Sequence, residues 1–209
     1  MDKDLSCMGE DLNWLLRDIS KDYIPQILDI SDEQLGKDYL SNELLENIID
    51  NDTNVICKLA FSQIGNKVIG FCLAFVVEPQ DIASIIKVPE RQISRALRDS
   101  EKIGVIKTIA VDNKYKGYGV GRKLAEDCYN ELLRKKVQSL CSVAWKGKEK
   151  VNINGILTNL GFERYIEIPD YWSEDSLQKG YSCPNCGQPP CHCSAVIYTR
   201  SVGYEAGHK

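Results

Sequence analysis

The run "IGVIKTIAVDNKYKGYGVGRKLAEDCYNELL", residues 103–133, constrains this chain more than any other stretch. It begins β-branched and mostly apolar on both faces, the pattern of a strand in the middle of a sheet. It ends with Val120, Leu124, Cys128 and Leu132 at the helical period, in a helix read to Lys136. Gly117, Gly119 and Gly121 lie between, among Lys114, Lys116, Arg122 and Lys123. A strand, a glycine turn and a helix in succession form an anion site. The first helical amides have no intrahelical partner, the helix dipole favours negative charge there, and glycine lets a ligand approach the main chain. Two nucleotide-binding patterns fail. A P-loop needs G-x-x-x-x-G-K-S/T, but Gly117 and Gly121 are three residues apart and Leu124 follows Arg122-Lys123. The dinucleotide fingerprint G-x-G-x-x-G is one residue longer than the spacing found here.

The remaining elements read as follows. "NWLLRDIS" (13–20) predicts a strand, and "KDYIPQILDIS" (21–31) a short helix with Pro25 in its first turn. Leu40, Leu44, Leu45 and Ile48 have helical spacing, with Ser41 and Asn42 at the start. "NVICKLAFSQ" and "KVIGFCLAFVVE" predict a hairpin turning at Gly65-Asn66. Residues 79–102 read as a long connection with a helix at about 90–99. "SLCSVAW" (139–145) predicts a strand, and "NINGILTNLGF" (152–162) a helix capped by Gly161. "RYIEIPDYW" and "SAVIYTRSV" read as a last strand pair flanking a cysteine cluster. The reading is one domain over 13–202, an extension at 1–12 and a frayed tail at 203–209.

The net charge of −4 gives no nucleic-acid signature. The acidic N-terminus holds no apolar core of signal length, and nothing approaches a membrane span, so a cytoplasmic protein is expected. Cys7, Cys57, Cys72, Cys128 and Cys141 mostly lie in apolar runs and read as reduced core residues. Cys183, Cys186, Cys191 and Cys193 form C-x2-C-x4-C-x-C inside a loop lined at 181–194. Four thiols at this density suit a tetrahedral Zn²⁺ site. With four protein ligands such a metal has no open position and is structural. His192 in place of one cysteine, a redox pair, free thiols and an iron–sulfur cluster remain alternatives.

A third pattern does fit the glycine turn. "KGYGVG" matches Q/R-x-x-G-x-G/A, with Lys116 in the first place and then Gly119 and Gly121. With "LGFERY" about forty residues later and the order of elements from Asn13 to about Val202, the sequence resembles the GNAT N-acetyltransferases. The resemblance implies an α/β (α+β) fold. Its central mixed, mostly antiparallel sheet would splay at an acetyl-CoA site, with helices on both faces. It implies that the amides of Lys116, Gly117, Tyr118, Gly119, Val120, Gly121 and Arg122 wrap the diphosphate of acetyl-CoA, while Lys116 and Arg122 add charge. Ile109 and Val111 would pair with the pantetheine arm as if it were a strand. An amide near Val111 would face the developing oxyanion. Asn152 or Asn154 would reach the cofactor from the next helix, although the family's asparagine aligns nearer Lys150.

The sequence departs from the family at the chemistry. The family's usual glutamate position is Val105 here, and its usual tyrosine position is Leu157. An amine of pKa roughly 10 must lose a proton before attack, and the leaving thiolate needs one. Tyr165 and Tyr171 are candidates for the acid and Glu78 for the base, unless positioning alone suffices. The expected activity is acetyl transfer to a primary amine, a protein N-terminus or a small-molecule amine, with no nucleic-acid or membrane partner. "RYIEIPDYW" resembles the ribosomal-protein alanine branch. An acyl-CoA sensor without turnover and a zinc-knuckle interaction module are the competing readings, and a homodimer is left open.

Overall fold

The computed structural model describes residues 14–51, 53–147 and 151–202. Cys7, Lys150, the N-terminal extension and the C-terminal tail fall outside them. Strand β1 (Trp14–Asp18) leads through a 3-10 turn to α1 (Ile24–Gln34) and α2 (Asn42–Asn51). Pro25 sits in the first turn of α1, where its missing N–H costs nothing. Ser41 starts α2 by accepting the Leu44 amide at 3.2 Å. Leu40, Leu45 and Ile48 are buried as the spacing predicts, whereas Leu44 is 44% exposed.

β2 (Val55–Ser62) and β3 (Lys67–Val77) form the expected hairpin, with Gly65 and Asn66 at positive φ in the turn. The connection to β4 differs from expectation. Instead of one helix at 90–99 it holds α3 (Ile82–Ile85), a 3-10 turn at Glu90–Gln92 and α4 (Arg95–Arg98). Ile93 and Ser94 are extended, and Ser94 Oγ accepts the Leu97 amide at 3.4 Å. A serine cap thus restarts the helix where the periodicity suggested continuity.

β4 (Ile103–Val111) is central, and α5 (Val120–Arg134) follows the glycine turn. β5 (Ser139–Lys146), α6 (Asn154–Asn159), β6 (Glu163–Ile168), α7 (Ser173–Lys179) and β7 (Ser194–Ser201) complete the order. Helix α7 has no counterpart in the sequence reading, which ran the strand through Pro169 to Trp172. The strand stops at Ile168, just before that proline, and Asp170 takes a positive φ.

The seven strands form one mixed sheet in the order β1-β2-β3-β4-β5-β7-β6, with only β4 and β5 parallel. One face packs on α5 and α6 through Ile69, Ile106, Leu124, Leu132 and Leu157. The other packs on α1 and α2 through Ile27, Leu45, Leu59 and Phe71, and on the 79–102 connection through Ile86, Leu97 and Val105.

Two irregularities shape the centre. β4 pairs with β5 only from Ile103↔Ser139 to Ile106↔Ser142, and Ser142 Oγ donates to Ile106 C=O at 2.8 Å. Beyond that hydroxyl the strands part, so the β5-facing edge of residues 107–111 has no strand partner. The second is a bulge. Leu73 pairs with Thr108 and Ala74 with Ile106, leaving Lys107 as the extra residue. The alternation shifts by one across it. Gly104 and Ile106 face α5 before the bulge, and Ile109 and Val111 face it afterwards.

Candidate active site at the strand fork

The fork opens into a cleft of 840 Å³. Its floor follows β4 from Lys107 to Val111 and ends at the glycine turn. Gly117 and Gly119 have φ of +86° and +81°, a region where a side chain would strain the backbone, and nothing stands where their Cβ atoms would be. Gly119 caps α5, whose first ladder bond runs from the Lys123 amide to Gly119 C=O at 3.0 Å. The amides of Val120, Gly121 and Arg122 precede that bond and lie at the positive end of the dipole. Gly121 lies over Val111, Ile156 and Ile109, at 3.4, 3.5 and 3.7 Å from the position of an added Cβ. The turn is anchored from below by Asp112, whose carboxylate accepts Lys114 N–H at 3.0 Å and Lys67 Nζ at 2.8 Å. Burial pushes the Asp112 pKa up, but these donors outweigh it and hold the carboxyl below its ordinary value.

The structure gathers most of the sequence-derived cofactor set. Ile109, Val111, Lys116, Gly117, Gly119, Val120, Gly121, Arg122 and Asn152 all line the cleft. Tyr118, 44% exposed, does not line it. Nor does Asn154, whose carboxamide accepts the Tyr198 hydroxyl at 2.6 Å.

The candidate acids and base are placed elsewhere, and none of the three lines the cleft. Tyr165 occupies a bulge in edge strand β6 and is 45% exposed. Tyr171 donates its hydroxyl to Ile86 C=O at 2.6 Å, and burial pushes its phenol up. Glu78, just past β3, accepts Gln80 Nε2 at 2.7 Å.

The fork end of the cleft is closed by residues the sequence reading passed over: Tyr39, Lys107, Trp145, Trp172 and Tyr181. Burial drives the Tyr39 phenol to about 12, so it stays protonated at neutral pH. Its ring meets Tyr181 edge-on at 5.6 Å. Gly36, at φ +127°, lies so close to the Ser182 carbonyl that a Cβ would collide with it. The α1–α2 connection and the cysteine loop therefore touch across this end. One signal of Lys107 was available: it is the single charge in "IGVIKTIAV".

The four clustered cysteines converge from two turns. Their sulfurs all lie within 4.8 Å of one another, with Cys183–Cys193 at 3.8 Å and Cys186–Cys193 at 3.5 Å. A tetrahedron with Zn–S bonds of about 2.3 Å has edges of about 3.8 Å, so the spacing fits that ion. The first turn is tied by two Cys183–Gly187 backbone bonds of 2.8 Å, and Asn185 N–H points at Cys183 Sγ at 3.4 Å. Trp172 packs on the cluster, and its buried indole N–H has no partner. His192 turns aside, with Nδ1 3.0 Å from Asp170 Oδ1. Cys183 and Cys191 also line the cleft. Cys57, Cys72, Cys128 and Cys141 are buried free thiols, and burial raises Cys141 to about 12.

The profile of the Acetyltransferase (GNAT) family matches residues 17–148. The chain belongs to the GNAT acetyltransferase family. Several solved N-acetyltransferase structures share its fold. Arabidopsis thaliana NAA60, solved in complex with acetyl-CoA, superimposes with a TM-score of 0.64 at 13% identity, covering 91% of this chain and 99% of that one. The ribosomal-protein-S18-alanine N-acetyltransferase of Escherichia coli gives 0.60 at 16% identity, covering 94% and 100%. Arylalkylamine N-acetyltransferase 2 of Aedes aegypti gives 0.59 at 17% identity, covering 91% and 100%. At these identities the likeness is one of fold. A sequence comparison with curated proteins gives no match. Among the described residues, no helix is long and apolar enough to cross a membrane.

Proposed function

We propose that the protein is an acetyl-CoA-dependent N-acetyltransferase that acts on a primary amine, a protein N-terminus or a small-molecule amine, within a ternary complex. The observation that carries this reading is the continuous main-chain surface from the open edge of β4 to the free amides at the start of α5. The diphosphate lies against the amides from Lys116 to Arg122, with Lys116 and Arg122 adding charge. The pantetheine arm follows residues 107–111, its amides pairing with the edge that β5 leaves open beside Ile109 and Val111. Asn152 approaches from the opposite wall. The thioester then comes to the fork, near Lys107 and Tyr39.

Cys183, Cys186, Cys191 and Cys193 hold a structural Zn²⁺ in this reading. Bound there, the metal would tie the loop together at four points, and Tyr181 and Pro184 of that loop wall the fork end of the cleft. That β6 and β7 on either side of this loop pair with each other supports taking residues 13–202, the loop included, as one catalytic unit.

A second reading, acyl-CoA binding without turnover, draws on Val105 and Leu157, both fully buried where the family's usual acid and base positions fall. Thiol release from acetyl-CoA, measured across short peptides, polyamines and amino acids, separates the two. Amine-dependent release is expected. Binding of coenzyme A with no release for any amine would favour the second reading.

A further inference from the structure

Lys107 lines the cleft at the fork, and the proposed binding of acetyl-CoA does not use its side chain. It is largely buried, it is the extra residue of the β4 bulge, and it follows the last β4–β5 pair directly. Its Nζ donates to the Ile85 carbonyl at 3.3 Å, and no carboxylate pairs with it among the described residues. The surrounding charges explain why. Lys87 from the α3 side, Asp175 and Lys179 from α7, and Cys141 from β5 act on it electrostatically, and the Tyr39 and Tyr171 phenols interact with the same Asp175. Asp175 is the one carboxylate in that set, and it is already taken. Lys87 binds one of its oxygens, Lys179 reaches the same oxygen at 3.2 Å, and the Tyr181 hydroxyl donates to the other at 3.0 Å. Lys87 and Lys179 therefore share that one carboxylate, and Lys107, which donates to a neutral carbonyl, is the one of the three that lines the cleft.

We infer that Lys107, as a neutral amine, is the proton acceptor for the substrate ammonium at the fork. This rests on the acetyltransferase reading and deepens it. Burial, and then the charge of Lys87, lower the Lys107 pKa, against a smaller opposing pull from Asp175. The neutral form is thus more accessible than in an ordinary lysine, whose pKa is about 10.4. Lys107 Nζ takes one proton from the acceptor ammonium. The freed lone pair attacks the thioester carbonyl, the C–N bond forms and the C–S bond breaks. The thiolate of coenzyme A takes the second proton from that nitrogen, and Lys107 returns its proton to solvent.

The same placement sets the sign of a stability effect. The folded-state pKa lies below the unfolded one, so the unfolded chain binds this proton more tightly. The resulting destabilisation is fully present below the folded pKa and disappears as pH rises through the unfolded value. Lys107→Met should therefore fold as well as the parent at pH 7.

The test compares the parent with Lys107→Met and Lys107→Arg, using acetyl-CoA and the best amine from the panel. Lys107→Met should lower kcat at pH 7.5 by about 100-fold, the range of a lost general base. The KM for acetyl-CoA should stay within about twofold and the acidic limb of the rate profile should move to higher pH. Lys107→Arg should not restore the rate, because guanidinium keeps its proton. An arginine variant with the parent's rate, or a methionine variant with the parent's rate and pH profile, would overturn the role. A second readout needs no turnover: the Nζ titration by NMR of lysine-labelled protein, assigned by difference from Lys107→Arg. It should fall below the ordinary lysine value, and an ordinary value overturns the proposal. If no amine supports turnover but Nζ titrates low, it is the acetyltransferase reading that fails.

Discussion

At one end of the cleft, Gly117, Gly119 and Gly121 present main-chain amides and almost no side chain. At the other, Tyr39, Lys107, Trp172, Tyr181 and the cysteine loop close the space with side chains from widely separated segments. The first end is built within a single strand–turn–helix unit, residues 103 to 134. The second exists only once the α1–α2 connection, β4, the start of α7 and the β6–β7 loop have docked. Main-chain recognition suits a ligand that never changes, such as a diphosphate. Side-chain recognition suits the partner that distinguishes one enzyme of this family from another. The two ends should therefore fail independently when damaged.

The largest expected effect is at the glycine end. An added Cβ at Gly121 meets its neighbours at ordinary distances, so the fold tolerates a side chain there, but a long one enters the cleft. Gly121→Leu should weaken coenzyme A binding by about 100-fold or more, some 2.7 kcal/mol, in a calorimetric titration. Its melting temperature should stay close to the parent's. Unchanged affinity would place the nucleotide elsewhere.

Metal removal is the complementary damage and the smaller one for cofactor binding. Chelation should lower the melting temperature by about 5 °C or more, equivalent to ~2 kcal/mol for a domain of this size. It should also blunt discrimination among amines in the thiol-release assay. Full amine selectivity in metal-free protein would detach the cysteine loop from acceptor choice.

The same contrast explains what was legible in the sequence. The glycine turn, the central strand and α5 could be read because each signal is local: β-branched residues, positive-φ positions, a helical period. The hairpin at Gly65-Asn66 was legible for the same reason. The cysteine spacing predicts a cluster of four thiols, and their sulfurs do converge. The fork end was not legible. The sequence points to Tyr165 and Tyr171 by their place on or after the strand that follows α6, but Tyr165 lies on the edge strand β6, 45% exposed, and the Tyr171 hydroxyl donates to the Ile86 carbonyl. Lys107 was passed over because periodicity treats one charge in an apolar strand as noise. What gives it meaning is the bulge and the loss of pairing after Ile106, and both depend on partner strands far away in sequence.

The most direct test of the central claim is a calorimetric comparison of coenzyme A with pantetheine, which lacks the diphosphate and the phosphoadenosine beyond it, on metal-replete and chelated protein. Coenzyme A should bind both forms with similar affinity. Pantetheine should bind each about 100-fold more weakly, the loss expected when several charge-assisted contacts to a helix N-terminus disappear. Equal binding of the two ligands, or loss of coenzyme A binding on chelation, would contradict a main-chain diphosphate site at the start of α5 that stands apart from the cysteine loop.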